Sequence, residues 1–288
     1  MTAIRSTSWL LATALLGSLS STARAKTAVV FGATGNVGNE ILRSIVHEPS
    51  FTKLILVGRK EFPPKVTDLL PESLEVVEVV HPDLGTIDQH EGLTEMDADA
   101  CFVAVGAGFP QNSDIHDWHY IEVTMAKAIS KVCGKMNVQS IAVFTSPEGD
   151  KARPYSDEEL AKTNVPMGIM TVFTDTIRMM RLKEEAVISA SKGIIPFVRI
   201  FQPITIITKE FRYGWLDWSI FKFHAVFDKW LPTDYHSVTA ELLGEAMVGD
   251  SVNILSGKTT TKGTTMLKYG DFLTIVDNHG EENIDTEL

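Results

Sequence analysis

The chain is poor in cysteine, carries no excess of basic charge and has no apolar run long enough for a membrane anchor at its amino end. Cysteine cannot supply a metal cluster, because only Cys101 and Cys133 occur, and we expect both to be core thiols. The formal net charge of −11 disfavours a nucleic-acid partner, whose phosphates would be repelled. The apolar run from Trp9 to Leu16 is far shorter than the about 20 residues that span a bilayer.

Residues 1–25 are typical of a cleaved targeting peptide. Arg5 precedes the apolar run, and small residues flank a cleavage site after Ala25. No acidic residue occurs before Glu40, so an organellar transit peptide is the alternative to a secretory signal. We expect entry into the secretory pathway, with the endoplasmic reticulum lumen or secretion as the destination.

Apolar strand-like runs alternate with helical patterns along the first two thirds of the chain. Strands are predicted near 27–31, 53–57, 74–80, 99–105, 138–145 and 195–200. Helices are predicted near 36–47, 86–95, 114–134 and 174–192. This alternation predicts an α/β fold over residues 26–200, a doubly wound parallel sheet with helices on both faces. Residues 201–288 are predicted to form a smaller, mostly helical substrate lobe with an acidic tail, with helices near 215–230, 237–248 and 265–275.

Glycines at a G-x-x-G-x-x-G spacing follow the first predicted strand and lead directly into a helix. The motif contains Gly32, Thr34, Gly35, Asn36, Val37 and Gly38. Glycine lets the backbone turn sharply and approach a phosphate, and the N–H groups of the new helix stabilise negative charge. The motif therefore predicts a pyrophosphate site of the Rossmann type.

The end of the second predicted strand indicates which dinucleotide is bound. NAD-selective Rossmann proteins usually present an acidic residue there, whereas this chain has Arg59 and Lys60. A guanidinium and an ammonium suit a 2′-phosphate, so we predict NADP(H) as the cofactor. The alternative is a basic pair on an exposed loop.

Two further strand ends are candidates for cofactor contact. Asp83 and Leu84 could place a carboxylate and an apolar side chain against the adenine, although Asp83 could equally cap the following helix. Val105 and Gly106 close the fourth predicted strand and are small enough for a cofactor to lie across them.

The glycine motif, residues 51–59, the strand end at residues 144–146 and the region of Arg199 together resemble the atypical short-chain dehydrogenases/reductases. The chain is most similar to the branch of Tat-interactive, oxidoreductase-like proteins. The resemblance covers about residues 27–250 and implies a Rossmann fold with NADP(H) binding.

That family uses a serine to hold the substrate carbonyl, a tyrosine to pass a proton, and a lysine four residues later. Ser146 matches the serine, and Lys183 matches the lysine, which would also contact the nicotinamide ribose. The tyrosine position is Met179, whose thioether has no proton to give. Tyr155 is the candidate substitute, and a surface aromatic is the alternative interpretation of Tyr155.

Aromatic residues are concentrated in residues 211–231, which could pack in the core, line a substrate pocket, meet a protein partner or contact a membrane surface. Two functions remain open. One is an NADP(H)-dependent oxidoreductase acting on a small apolar carbonyl or alkene. The other is a catalytically impaired protein that senses NADPH or uses it to stabilise an interaction surface.

Overall fold

The computed structural model describes residues 25–107, 114–147, 152–153, 155–156, 158–159, 172–208 and 228–285. The predicted targeting peptide, up to residue 24, and most of the aromatic segment lie outside these residues. Within the described part of the chain, no helix has the length and apolar character needed to cross a membrane.

The main sheet contains seven parallel strands in the order β3-β2-β1-β4-β5-β6-β9. Their bounds are β1 Lys26–Phe31, β2 Phe51–Gly58, β3 Glu75–Val80, β4 Ala100–Val103, β5 Ser140–Phe144, β6 Phe197–Phe201 and β9 Gly263–Leu267. A separate two-stranded ladder joins β7 (Ile206–Ile207) to β8 (Val238–Thr239). The six strands predicted from apolar runs are all present, and the doubly wound α/β fold is confirmed.

Helices cover both faces of this sheet. The α-helices of the described residues are α1 Asn36–His47, α2 Pro64–Thr67, α3 Glu91–Thr94, α4 Ile115–His119, α5 Met125–Lys135, α6 Val172–Ser191, α7 Ala240–Leu255 and α8 Tyr269–Asp285. A 3₁₀ helix at Leu84–Gln89 precedes α3. A π-helical turn at Tyr120–Thr124 joins α4 to α5, so the single helix predicted over 114–134 changes its hydrogen-bonding pattern midway.

The side chains of alternate residues in each strand pack into two apolar layers, one on each face of the sheet, as expected for a sheet buried on both faces. In β1, Val30 packs with α1 and α7, whereas Val29 packs with α5 on the opposite face. Both side chains are fully buried. The core therefore packs against β1 on both faces of the sheet and against α1 on one of them.

The carboxyl-terminal residues complete the main sheet. Strand β9 pairs in parallel with β6, from Phe197↔Gly263 to Phe201↔Leu267. The helix predicted near 265–275 is therefore wrong at its beginning, where a strand forms first and α8 follows. Part of the stretch assigned to a smaller lobe thus belongs to the central sheet and its helical layer.

A buried ion pair between β6 and α7 lies beside this last strand. Arg199 on β6 lies 3.2 Å from Asp250 on α7, with side chains 3% and 9% exposed. The Arg199 guanidinium also donates to the Thr265 hydroxyl on β9. Burial raises the pKa of Asp250 to about 6, and the nearby Arg199 charge opposes that rise.

The two cysteines form a disulfide between β4 and α5. The expectation of two free core thiols is therefore wrong. Both residues are fully buried where α5 crosses β4, and their Cα atoms are 6.4 Å apart, within the range that a disulfide spans.

Candidate functional site

The glycine loop after β1 has a backbone that only glycine accommodates at two positions. Gly32 has a φ of +87°, and a Cβ there would lie 2.7 Å from the carbonyl carbon of Ala104. A Cβ on Gly38 would overlap the carbonyl oxygen of Gly32. Gly35 donates its N–H to the Gly32 oxygen at 3.0 Å and caps α1 without a side-chain hydrogen bond. The loop therefore keeps its backbone accessible at the helix amino terminus.

This loop lies where the strand order reverses. Strands β2 and β3 follow on one side of β1, whereas β4, β5 and β6 follow on the other. Ligands of open α/β sheets bind at such a switch point, outside the carboxyl ends of the strands. A ligand at this switch point would lie in a crevice between the glycine loop after β1 and residues 104–107 after β4, which we call the β4 loop.

An open cavity of about 250 Å³ adjoins the amino terminus of α1. Its lining residues are Thr34, Gly35, Asn36, Asn39, Glu40, Arg43, Lys65, Ile207, Ala240 and Glu241. Three predicted loop residues thus line a cavity, together with two cations that the sequence analysis does not single out. Val37 and Gly38 are buried against the core instead.

The predicted 2′-phosphate residues lie at the end of β2. Arg59 and Lys60 directly follow Gly58, and both side chains are exposed to solvent. The two cations therefore lie in a loop at the carboxyl edge of the sheet. Cofactor selection by these residues stays a prediction.

Asp83 caps the 3₁₀ helix, as the alternative interpretation proposed. Its Oδ1 accepts the Gly85 N–H at 2.9 Å and the Tyr120 hydroxyl at 2.5 Å. The hydrogen bond from Tyr120 is the largest of the effects that lower the pKa of Asp83. Leu84 is 3% exposed and packs in the core, and its predicted contact with the adenine stays a prediction. The adenine contact of Asp83 stays a prediction.

The β4 loop contacts a buried ion pair. Lys183 on α6 lies 2.9 Å from Glu122 on the π-helical turn, and their side chains are 1% and 5% exposed. Lys183 donates to the Val105 carbonyl at 3.2 Å, and Glu122 accepts the Ala107 N–H at 2.8 Å. Gly106, between them, is exposed. Lys183 is thus placed beside the predicted Val105 and Gly106, with its ammonium enclosed.

Within the described residues, no hydrogen bond joins the predicted catalytic residues Ser146, Tyr155 and Lys183 to one another. The Ser146 hydroxyl follows β5 and makes only a long contact, 3.5 Å, with the Pro147 carbonyl in the described part of the chain. Tyr155 donates to Asp175 at 2.9 Å and lies under the Arg178 guanidinium, 3.7 Å from its ring centre. Burial, followed by the Asp175 hydrogen bond, raises the pKa of Tyr155.

Residue 179, the tyrosine position of the resembled family, is fully buried. Met179 shares an apolar cluster with Ile115, Trp118 and Tyr155. Tyr155 is only 9% exposed, so its interpretation as a surface aromatic is wrong. Its role as a proton donor stays a prediction.

Glu122 is the residue of this region that the sequence analysis misses. It lies in register with the buried Trp118, Met125 and Ile129, which recur at helical spacing. A carboxylate on the apolar face of a helix indicates a buried partner, because an unpaired charge there is costly. The π-helical turn that carries it is a feature frequent at functional sites.

No family model and no curated protein sequence matches the chain. Among solved structures, it is similar to a 3-oxoacyl-(acyl-carrier protein) reductase from Brucella melitensis in complex with NAD. That likeness has a TM-score of 0.59 at 14% identity, over 87% of this chain and 98% of the other. A short-chain type dehydrogenase/reductase from Mycobacterium ulcerans gives a TM-score of 0.58 at 12% identity, over 86% and 90%.

A putative NAD-dependent epimerase/dehydratase from Bacillus halodurans is also similar. It gives a TM-score of 0.55 at 16% identity, covering 88% of this chain and 99% of its own. At 12 to 16% identity, these likenesses show a shared Rossmann-type fold.

Proposed function

We propose that the chain binds NADP(H) in the crevice between the glycine loop and the β4 loop. The observation that carries this proposal is the backbone at Gly32 and Gly38, where any side chain would overlap main-chain atoms. Such a loop at a helix amino terminus fits a pyrophosphate, whose charge the N–H groups and the dipole of the helix stabilise. The fold shared with proteins whose descriptions name NAD supports the same class of cofactor.

Preference for NADP(H) over NAD(H) rests on Arg59 and Lys60. Both are exposed directly after β2. The last three residues of that strand, Leu56-Val57-Gly58, include no acidic side chain. Guanidinium and phosphate form charge-assisted hydrogen bonds, which are stronger than neutral ones. Selection between the two dinucleotides would then depend on the 2′-phosphate.

An oxidoreductase acting on a small apolar carbonyl or alkene is the first candidate activity. NADPH would supply the hydride, Ser146 at the end of β5 would hold the substrate oxygen, and a proton would come from Tyr155 or another acid. General acid catalysis is typically worth about 10²–10⁴-fold in rate, so its loss leaves a slow reaction.

A protein that senses NADPH, or that uses it to stabilise an interaction surface, is the second candidate. Three observations favour it. Residue 179 is a buried methionine, the Tyr155 hydroxyl is bonded to Asp175, and the Lys183 ammonium is bonded to Glu122. Each proton-handling group of the resembled family is therefore replaced or already partnered.

Secretory entry remains part of the proposal. The Cys101–Cys133 disulfide supports it, since disulfides persist mainly in oxidising compartments. A protein or membrane partner at residues 211–231 also stays a proposal, because residues 209–227 lie outside the described chain.

A coenzyme titration tests the proposed function. NADPH and NADH are added to the purified protein, and coenzyme fluorescence gives each dissociation constant. We expect NADPH to bind more tightly. Arg59→Ala should weaken NADPH about tenfold and leave NADH unchanged, because one charge-assisted hydrogen bond contributes about 1.5 kcal/mol or more.

Lys127→Ala, which removes an exposed cation on α5, is the matched control and should change neither value. Equal affinity for both coenzymes would contradict the role of Arg59, and binding of neither would refute the function. Oxidation of bound NADPH across a panel of carbonyls and quinones then separates the two candidates.

A further inference from the structure

The buried pair Glu122–Lys183 contacts the β4 loop along three consecutive residues. Lys183 Nζ donates to the Val105 carbonyl at 3.2 Å, and Glu122 Oε1 accepts the Ala107 N–H at 2.8 Å. A Cβ on Gly106 would lie 3.2 Å from the same Oε1. The carboxylate and the ammonium therefore hold both ends of this short backbone segment, and little space remains behind its middle.

The ammonium of Lys183 has little freedom to leave this position. Besides Glu122 and the Val105 carbonyl, it faces the ring of Phe144, whose centre is 5.2 Å away. The side chain is 1% exposed. Separating it from Glu122 would leave two buried charges without a partner of opposite charge, which is far more costly than breaking an exposed ion pair.

The β4 loop is one wall of the proposed coenzyme crevice. Ala104 begins the loop and donates its N–H to the Phe31 carbonyl at 2.8 Å. A Cβ on the facing Gly32 would lie 2.7 Å from the Ala104 carbonyl. Because the two loops touch, a shift of the β4 loop changes the space available to a dinucleotide.

We propose that Glu122 is a positioning residue: through its ion pair with Lys183 it fixes the β4 loop against the coenzyme, and Lys183 contacts this loop in place of the nicotinamide ribose. This inference rests on the proposed function. It assigns a role in coenzyme binding to a carboxylate and a lysine that do not touch the coenzyme.

A double-mutant cycle on NADPH affinity tests this role. The variants are Glu122→Gln, Lys183→Met and the double variant, and Lys192→Met is the control because it removes an exposed cation just beyond α6. Affinity is measured by coenzyme fluorescence at a temperature where circular dichroism shows each variant to be folded.

Each single variant leaves a buried polar group unpaired and displaces the loop, so NADPH should bind at least about tenfold more weakly. The double variant carries neither charge, and the amide oxygen at position 122 can still accept the Ala107 N–H, so it should bind within about threefold of the wild type. Lys192→Met should match the wild type. If the single variants do not fold, Glu122→Asp takes their place. It keeps the charge but shortens the reach to the Ala107 N–H, so NADPH should still bind more weakly than to the wild type, and unchanged affinity would contradict the positioning role.

Two results would overturn the inference while the proposed function stands. Lys183→Met and the double variant could lose affinity equally while Glu122→Gln binds like the wild type, which would show that Lys183 contacts the coenzyme directly. Alternatively, all variants could keep wild-type affinity while their melting temperatures fall, which would show that the pair only stabilises the fold. A wild-type protein that binds neither coenzyme would instead refute the proposed function, and the positioning role with it.

Discussion

Alanine at Gly38 should weaken coenzyme binding more than alanine at any exposed helical glycine. The added Cβ would lie 2.7 Å from the Gly32 carbonyl carbon and 3.0 Å from the Ala33 Cα, and it would overlap the Gly32 oxygen. All of these are main-chain atoms, so no side-chain rotation can relieve the contacts. The glycine loop itself has to move.

The size of the effect follows from two opposing terms. Replacing a helical glycine by alanine normally stabilises a helix by about 1 kcal/mol. Inserting a carbon into packed structure costs about 1–3 kcal/mol. The overlap is with main-chain atoms, so the cost lies at the upper end of that range and the net penalty is about 2 kcal/mol. Since the displaced atoms form the proposed phosphate site and about 1.4 kcal/mol is tenfold in affinity, we expect NADPH to bind up to about 30-fold more weakly.

Two further alanine variants make the series graded. A Cβ on Gly35 would lie 3.3 Å from the Gly32 oxygen, so Gly35→Ala requires a smaller shift and should lose less affinity. A Cβ on Gly92 in α3 would meet only the His90 side chain, at 3.5 Å, so Gly92→Ala is the control. Fluorescence titration with NADPH gives the affinities, and thermal unfolding reports whether each variant is folded. Gly38→Ala binding as tightly as Gly92→Ala would refute the assignment of this loop.

Two predictions concern stability. Because burial raises the pKa of Asp250 to about 6, the folded protein holds this proton more tightly than the unfolded chain does. The contribution of Asp250 to the free energy of unfolding should therefore fall by about 2 kcal/mol between about pH 4 and pH 6. In denaturant titrations, the difference in free energy of unfolding between the wild type and Asp250→Asn should change by that amount over this range, and a pH-independent difference would contradict the assignment. Reduction of the Cys101–Cys133 disulfide, which spans 32 residues of sequence, should cost about 3–4 kcal/mol by the chain-entropy estimate. The melting temperature should drop with reductant in the wild type but not in the doubly serine-substituted variant, and two free thiols in unreduced, denatured protein would refute the cross-link.

The central strands could be predicted from sequence because they are buried on both faces. Continuous apolar runs such as Leu54–Val57 occur where a strand is covered by helices above and below. Strand β9 lacks this signal. It is a mostly exposed edge strand with the sequence Gly-Thr-Thr-Met-Leu, and only Leu267 is buried. Its pairing with β6 depends on contacts across the sheet that no local pattern records.

The candidate site also has one part that could be predicted from sequence and one part that could not. The glycine loop is predictable because its geometry requires glycine at fixed spacing within a few residues. The Glu122–Lys183 pair joins residues 61 positions apart, so neither residue alone reveals the other. Likewise, the bond from Tyr120 to Asp83 spans 37 positions, and it arises where the π-helical turn brings Tyr120 to the end of β3.

The close contact of α7 with α1 has a consequence for how the protein matures. A Cβ on Gly244 would lie 2.9 Å from the main chain of Glu40 and Ile41, so the two helices approach backbone to backbone. During translation, α1 leaves the ribosome long before α7 is synthesised, because the amino terminus of the chain emerges first. Until then, the apolar stripe of α1 lacks its partner. Completion of the cavity at the start of α1, which Ala240 and Glu241 of α7 help to line, therefore waits for nearly the whole polypeptide. Nascent chains that stop before residue 240 are expected to be substrates for chaperones and proteases.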